Sequence, residues 1–251
     1  MVWNPCVYPA NCEGMKRRLI IVFLIMVGMA GCDLEADQGI NLYADVYDFN
    51  NGQQGWEADF TDYPASTQDS LTYELTFSYT NLPSNLGSRK GIMMSGKNYS
   101  DDLFMFMKKK VAGLAPNTYY TIVFEVELAS NAPTGAVGIG GAPGEGVYLK
   151  AGAVSIEPRK VIDGSSYTLN VDKGNQSESG SNLVVLGHIG VAPNTTEYTL
   201  ITRSNETTTT PFIARTNNLG ELWIIVGTDS GFEGTTTVYY TKLGIVFTTS
   251  Y

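Results

Sequence analysis

The stretch Thr121-Ile122-Val123-Phe124-Glu125-Val126-Glu127-Leu128 decides the fold predicted for this chain. Apolar side chains stand at every second position from Ile122 to Leu128, and the two glutamates fall between them. Successive side chains of a β-strand point to opposite faces, so a period of two residues indicates one buried and one solvated face. The stretch therefore predicts a half-buried strand of an antiparallel sheet.

The same alternation recurs through the chain after Cys32. It predicts strands at Tyr43–Phe49, Leu71–Tyr79, Gly91–Ser95, Leu103–Lys109, Tyr167–Val171, Asn182–Val191, Glu197–Arg203, Leu222–Val226 and Thr237–Phe247. Turn-rich clusters separate these strands, and no ten residues after Cys32 show helical periodicity with caps. The 27 glycines and 15 tyrosines are typical of antiparallel sheets. We therefore predict an all-β fold, a single antiparallel β-sandwich domain over residues 42–251.

Three segments resemble the jelly-roll carbohydrate-binding modules, which are galactose-binding-like β-sandwiches. Asp48–Trp56 is similar to their opening strand and glycine turn, Leu114–Phe124 to their loop before a long strand, and Val238–Val246 to their closing strand. The resemblance implies a jelly-roll sandwich, a last strand that lies beside the first, and non-catalytic ligand binding. Thr241 and Lys242 stand where those modules often carry an acidic calcium ligand, so the resemblance carries no calcium site to this chain.

The amino-terminal residues have the three regions of a secretory signal. A positive patch, Lys16-Arg17-Arg18, precedes the apolar run Leu19–Val27 and a stretch of small residues. The run has nine residues, whereas a spanning helix needs about 20. We therefore interpret residues 15–31 as a cleaved signal peptide that begins at Met15, and residues 1–14 as a mis-assigned start.

The stretch Met29-Ala30-Gly31-Cys32 resembles the lipobox of bacterial lipoproteins. The resemblance implies that the Cys32 thiol receives a lipid, that residues 32–41 tether the domain, and that the protein is exported and anchored to a bacterial membrane, inner or outer. The alternative is an unmodified thiol in an ordinary secreted protein. Cys6 and Cys12 precede the cleavage point, so the mature chain has no further cysteine for a disulfide, a zinc cluster or a thiol nucleophile.

The charge balance limits the classes of partner. The chain has a net charge of −9, and removal of the first 31 of its 251 residues, which carry a net charge of +2, leaves 220 residues at −11. So acidic a chain argues against nucleic acid and against an electrostatic grip on anionic membranes. We therefore expect no nucleic-acid partner, and membrane attachment through the lipid anchor.

Catalysis has few candidate residues in this sequence. His188 is the one histidine, it lies in an apolar run, and no G-x-S-x-G nucleophile elbow occurs. The glycine-rich segment Gly138–Gly146 lacks the Gly-Lys-Ser/Thr of a phosphate loop, so it predicts a tight turn between strands. Paired carboxylates could hydrolyse glycosides, although spacing alone pairs none of them. We predict a protein that is not an enzyme and has no cofactor, with a glycoside hydrolase as an alternative.

Ligand binding is the favoured function, because aromatic rings stack on sugar rings and polar groups hydrogen-bond to hydroxyls. The candidate ligand-binding residues are Trp56, Tyr63, Tyr99, Asp101, Asp102, Glu145, Lys150 and Trp223. For the two tryptophans, a place in the hydrophobic core is the competing interpretation. We expect a glycan or a protein as the ligand. The alternative is a structural or protein-interaction lipoprotein with no small-molecule site.

A structural calcium ion would need oxygen ligands, since the mature chain has one histidine and no free cysteine. Asp48, Asp59 and Asp62 flank the first predicted turn and are the candidate ligands. Carboxylates that cap turns explain the same residues without a metal.

Overall fold

The computed structural model describes residues 42–66, 71–100 and 102–249. The predicted signal peptide, Cys32, the tether and Asp101 lie outside the described residues. The strands are β1 (Leu42–Asp48), β2 (Glu57–Thr61), β3 (Tyr63–Pro64), β4 (Thr76–Asn81), β5 (Lys90–Lys97), β6 (Leu103–Val111), β7 (Tyr119–Ser130), β8 (Val147–Val154), β9 (Lys160–Asp163), β10 (Ser166–Leu169), β11 (Leu183–His188), β12 (Thr199–Ser204), β13 (Ile213–Arg215), β14 (Leu222–Ser230) and β15 (Thr235–Thr249). Within these ranges, no helix is long and apolar enough to cross a membrane.

Sheet A contains seven strands: β1, β4, β5, β7, β12, β13 and β15. The long strands β7 and β15 lie side by side at its centre, with Thr121 opposite Thr248 and Ala129 opposite Tyr239. The other edge of β15 pairs with β5 along its first half and with β1 along its second. The remaining edge of β7 pairs with β12 and β13 in turn. The first strand therefore lies beside the last, as the resemblance implied.

Sheet B contains five antiparallel strands in the order β11-β8-β14-β6-β2. The inner faces of sheets A and B enclose the main core, and the central strands β7 and β14 contribute every second side chain to it. Ile122 and Phe124 on β7 and Ile224 and Val226 on β14 are all completely buried there. The predicted all-β, antiparallel sandwich is therefore confirmed.

The outer face of sheet B is also buried, because residues 157–182 fold back over it. Strands β9 and β10 of this segment pair with β3 to form the small sheet C. Beneath it, the rings of Phe104 and Phe106 stack at 5.4 Å within a second apolar cluster that includes Ile225 and Val171. Strands β6 and β14 are thus covered on both faces, so a charged side chain on the covered part needs a partner within the protein.

Some predicted boundaries differ from the structure. The strand predicted at Leu71–Tyr79 begins at Thr76, because residues 71–72 form a helical turn and Leu71 is exposed. The alternation of apolar and polar residues begins at Leu71, but residues 71–75 do not pair with a neighbouring strand. The short strands β2, β3, β9 and β13 show no alternation long enough to predict them, and β9 is mostly exposed.

Candidate functional site

The two ends of β15 define two ends of the sandwich. Thr235 pairs with Lys97 on β5, whereas Thr248 pairs with Leu42 on β1. These points are about 40 Å apart at about 3.3 Å per residue. We call the first the distal end and the second the amino-terminal end. Hydrogen bonds join the distal loops to one another, from Asn98 N–H to the Gly234 carbonyl and from Gly231 N–H to the Gly146 carbonyl.

A buried charge cluster lies at the distal end of the outer face of sheet B. Its centre is Asp229, at the end of β14, which is completely buried. Its carboxylate accepts hydrogen bonds from Lys150 Nζ at 2.8 Å, from Lys173 Nζ at 2.9 and 3.0 Å, and from Gln176 N–H at 2.9 Å. Lys150 is equally buried and also donates to the carbonyls of Lys173 and Glu178. Both charges are therefore paired and hydrogen-bonded, which is the condition for burying them.

Lys173 brings two further carboxyl groups into the cluster. Its Nζ lies 3.1 Å from Asp62 Oδ2 and 3.6 Å from Asp102 Oδ1. Carboxyl oxygens of Asp62, Asp102 and Asp229 lie within 4.8 Å of one another, a spacing that could hold a metal ion. The ammonium group of Lys173 contacts all three carboxyl groups, so a lysine already supplies the positive charge that a metal ion would bring.

The charges of the cluster determine its protonation. Burial, together with the negative charge of Asp229, raises the pKa of Asp102 to about 8, which favours the protonated carboxyl over the carboxylate. Burial also raises the pKa of Asp62. Burial opposes ionisation of Asp229 as well, but the ammonium groups of Lys173 and Lys150 outweigh it and lower the pKa of Asp229.

A row of four tyrosines adjoins the cluster in the order Tyr167, Tyr63, Tyr73 and Tyr99. Successive ring centroids are 5.1, 5.4 and 5.7 Å apart. Tyr63 and Tyr73 are buried in the middle of the row, whereas Tyr99 is 46% exposed at one end. The buried rings therefore support an aromatic ring that faces solvent.

Tyr99 and Asp102 share the loop between β5 and β6. The loop is held by Asn98, which is buried and donates its side-chain amide to the Ser230 carbonyl at 2.8 Å. The Asp102 side chain is 37% exposed, and Lys97 Nζ lies 4.7 Å from the centre of the Tyr99 ring. Lys97, Tyr99 and Asp102 therefore carry an ammonium group, an aromatic ring and a carboxyl group within six residues of the chain.

The two predicted tryptophans lie elsewhere. Trp56 is completely buried in the main core, where its ring meets those of Tyr47 and Phe49 edge-on at 5.3 and 6.2 Å. It offers no face to a ligand, so its prediction as a binding residue is wrong and the core interpretation is confirmed. Trp223 lies at the opposite end of β14 from Asp229, half-buried against the second apolar cluster.

Of the other predicted residues, Tyr63 and Lys150 lie beneath the distal surface, and Glu145 lies on a different loop. Tyr63 and Lys150 are buried, so they can position the distal surface but cannot contact a ligand. Glu145 lies on the glycine-rich loop, where its Oε1 accepts the Gly135 N–H at 2.8 Å. The predicted residues that the structure brings together are Tyr63, Tyr99, Asp102 and Lys150.

The three predicted metal ligands do not share a site. Asp48 caps a short turn by accepting the Asn50 N–H at 2.9 Å. Asp59 forms an ion pair with Lys160 at 2.8 Å. Asp62 belongs to the charge cluster. Each carboxylate has its own partner within the protein. Turn capping and ion pairing therefore account for these residues without a metal ion.

A cleft of about 340 Å³ opens between the end of β8 and β13. Its lining residues are Ala153, Val154, Ser155, Ile156, Asn170, Val171, Ser181, Asn182, Ile213, Ala214 and Arg215. The lining contains no aromatic ring, so the cleft cannot stack on a sugar ring.

Lys173, Tyr73 and Tyr167 also belong to this site, but they were not predicted from the sequence. Their signal in the sequence is weak, because their partners come from distant strands. Lys150 and Asp229 give a stronger signal of a buried polar site. Each is the one charged residue of a strand that is buried on both faces.

No protein-family model and no curated protein matches the chain. Solved structures with similar folds include several carbohydrate-binding modules. A module studied for specific mannan recognition is 12% identical, with a TM-score of 0.38, over 83% of this chain and 98% of that one. A putative sugar binding protein from Bacteroides thetaiotaomicron is 9% identical, with a TM-score of 0.38, over 75% and 86%. The chain spans 19% of a bacteriophage CBA120 tailspike protein, at 9% identity, a TM-score of 0.35 and 75% of this chain.

Proposed function

We propose that this chain is an exported, lipid-anchored β-sandwich that binds a glycan without cleaving it, and that the glycan lies on the Tyr99 surface. The observation that carries the proposal is the half-exposed Tyr99 ring, which packs against the buried Tyr73 ring, with the partly exposed Asp102 carboxyl three residues further along the chain. A sugar ring presents C–H groups to an aromatic face and hydroxyl groups at its rim. Asp102 and Lys97 supply hydrogen-bonding groups for those hydroxyls.

Hydrogen bonds on either side of Tyr99 favour this role. Asn98 Oδ1 accepts the Ser100 N–H at 3.0 Å, and the Tyr73 hydroxyl donates to Ser100 Oγ at 2.7 Å. These hydrogen bonds fix the residues on either side of Tyr99 before a ligand arrives. A preorganised surface binds more tightly, because less conformational freedom is lost on binding.

The position of the surface fits a protein anchored through Cys32. Leu42, the first described residue, lies at the amino-terminal end, about 40 Å along β15 from the Tyr99 loop. An anchor attached there would leave the Tyr99 surface clear of the point of attachment. A non-catalytic role is favoured because Lys173 engages the carboxyl groups of Asp62 and Asp229 in ion pairs within the cluster.

A glycan array tests the binding proposal, with the Cys32→Ser chain as a soluble probe. Tyr99→Ala should weaken binding to any recognised glycan about tenfold, a change of about 1.4 kcal/mol. Tyr119→Ala is the matched control, because Tyr119 is 54% exposed at the amino-terminal end. Equal losses in both variants would contradict the assignment, and no bound glycan would favour a protein-interaction role.

The anchor is tested separately by metabolic labelling with a fatty acid. The unmodified chain should take up the label and partition into detergent, and the Cys32→Ser chain should do neither. A labelled Cys32→Ser chain, or an unlabelled parent chain, would contradict lipidation at this residue.

A further inference from the structure

The outer face of sheet A carries an apolar patch at the amino-terminal end. We call it the apolar face; it comprises Leu42, Ala44, Val46, Val123, Val246 and Ile213. Directly paired residues in an antiparallel sheet point to the same side, so the pairs of Ala44 with Val246 and of Val246 with Val123 place three of these side chains in one row. Leu42 and Val46 are each 62% exposed and Ile213 is 47% exposed. Leu42, Ala44, Val46, Val246 and Val123 form a contiguous apolar surface across β1, β15 and β7. Thr248 and Thr121 lie between Leu42 and Ile213, and Glu125 lies at the border of this surface.

The composition of this face departs from the remainder of the sheet. A solvated sheet face normally carries polar side chains, and the adjoining row does so, with Asp48 opposite Lys242 and Lys242 opposite Glu127. Contiguous exposed apolar surface marks a place of contact with a partner or a membrane. We therefore expect a partner molecule or a membrane to cover the apolar face.

The size of the face argues against a second copy of the chain. Three strands about 4.8 Å apart and three rows about 7 Å apart give an area of about 300 Å². A stable protein interface covers about 800 Å² on each partner. The face alone is too small to hold two copies together.

The chain itself favours a lipid surface. Nine residues separate Cys32 from Leu42, which limits the distance between them to about 34 Å. A lipid on Cys32 would thus hold the apolar face within reach of the bilayer. The anchor also raises the effective concentration of the bilayer at this face, so that a contact too weak to form alone can form. Tyr119 and Arg215 stand at the edge of the face, with the guanidinium 5.5 Å from the ring centre. Such aromatic and basic residues are common at the headgroup level of membranes.

We infer that the apolar face rests on the surface of the bilayer to which Cys32 is anchored. The inference depends on the lipid anchor of the proposed function. It sets the orientation of the domain, with the outer face of sheet A on the lipid, the strands parallel to the bilayer and the Tyr99 loop about 40 Å from the anchored end.

Depth-dependent quenching tests the orientation. The full chain, lipidated in a bacterial host, carries a single added cysteine with an environment-sensitive fluorophore and is reconstituted into phosphatidylcholine vesicles with spin-labelled acyl chains. Val46→Cys reports on the apolar face. Ile162→Cys is the matched control, because Ile162 is 67% exposed on sheet C, on the other side of the sandwich. Mass spectrometry of each sample records whether Cys32 carries lipid, and thermal unfolding records whether the variant is folded.

The expected result is quenching at position 46 at least twofold greater than at position 162. Equal quenching at both positions in a lipidated sample would overturn this inference and leave the anchor intact. A probe at position 46 shielded from both the lipid quencher and aqueous iodide would also overturn it, in favour of a protein partner. Absence of lipid on Cys32 would overturn the anchor, and this inference with it.

Discussion

Asp229→Asn removes the negative charge at the centre of the buried cluster. Asp229 accepts hydrogen bonds from Lys150, Lys173 and Gln176, and both Asp229 and Lys150 are completely buried. Removal of one partner of a buried ion pair typically costs about 3–5 kcal/mol, because an uncompensated charge remains. Asp62 and Asp102 can still compensate Lys173, so we expect the lower value, about 3 kcal/mol. For a domain of this size, that loss lowers the unfolding midpoint by about 6–12 °C.

Urea unfolding followed by circular dichroism measures the loss. Asp163→Asn is the control, because Asp163 is exposed at the turn between β9 and β10, and its free energy of unfolding should change by less than about 0.5 kcal/mol. Adding Lys150→Met to Asp229→Asn should restore part of the stability, because the unpaired ammonium is removed. A loss below about 1 kcal/mol in Asp229→Asn, or a double variant less stable than the single one, would refute the account of the cluster.

Two other predictions concern the same cluster. Because the pKa of Asp102 is raised from 3.8 to about 8 in the folded state, the folded chain retains a proton that the unfolded chain releases, so stability should fall as pH rises through this window. Asp102→Asn should flatten that fall in a series of denaturant titrations; an unchanged pH profile would contradict the raised pKa. Lys173→Ser should leave three carboxyl groups at metal-binding spacing, so millimolar calcium should raise its thermal midpoint but not that of the parent chain. Equal stabilisation of both chains by calcium would contradict the role of Lys173 as the compensating charge.

The sandwich could be predicted from the sequence because its central strands carry a local signal. Residues 121–128 alternate, and the structure buries Ile122, Phe124, Val126 and Leu128 on one face of β7. The same signal fails at Leu71, where alternation continues but the chain turns before β4 begins. Pairing, unlike alternation, depends on a neighbouring strand that local sequence does not reveal.

The site was predictable in part. Tyr99 and Asp102 could be nominated because aromatic and acidic residues in a turn-rich segment suit ligand binding. Their surroundings could not, since Lys173 and Asp229 reach them from segments more than 70 residues away along the chain. Trp56 was predicted as a binding residue but lies in the core. An indole ring suits both sugar stacking and core packing, so the residue type alone does not determine where the ring lies.

Chemical footprinting of the exposed tyrosines tests the central claim most directly. Nitration by tetranitromethane should modify both Tyr99 and Tyr119, which are 46% and 54% exposed at opposite ends of the sandwich. With a saturating glycan identified on the array, the account predicts that nitration of Tyr99 slows at least fivefold while that of Tyr119 is unchanged, as measured by peptide mass spectrometry. Protection of Tyr119, or no protection of Tyr99 by a glycan that binds, would contradict a glycan site at the distal end.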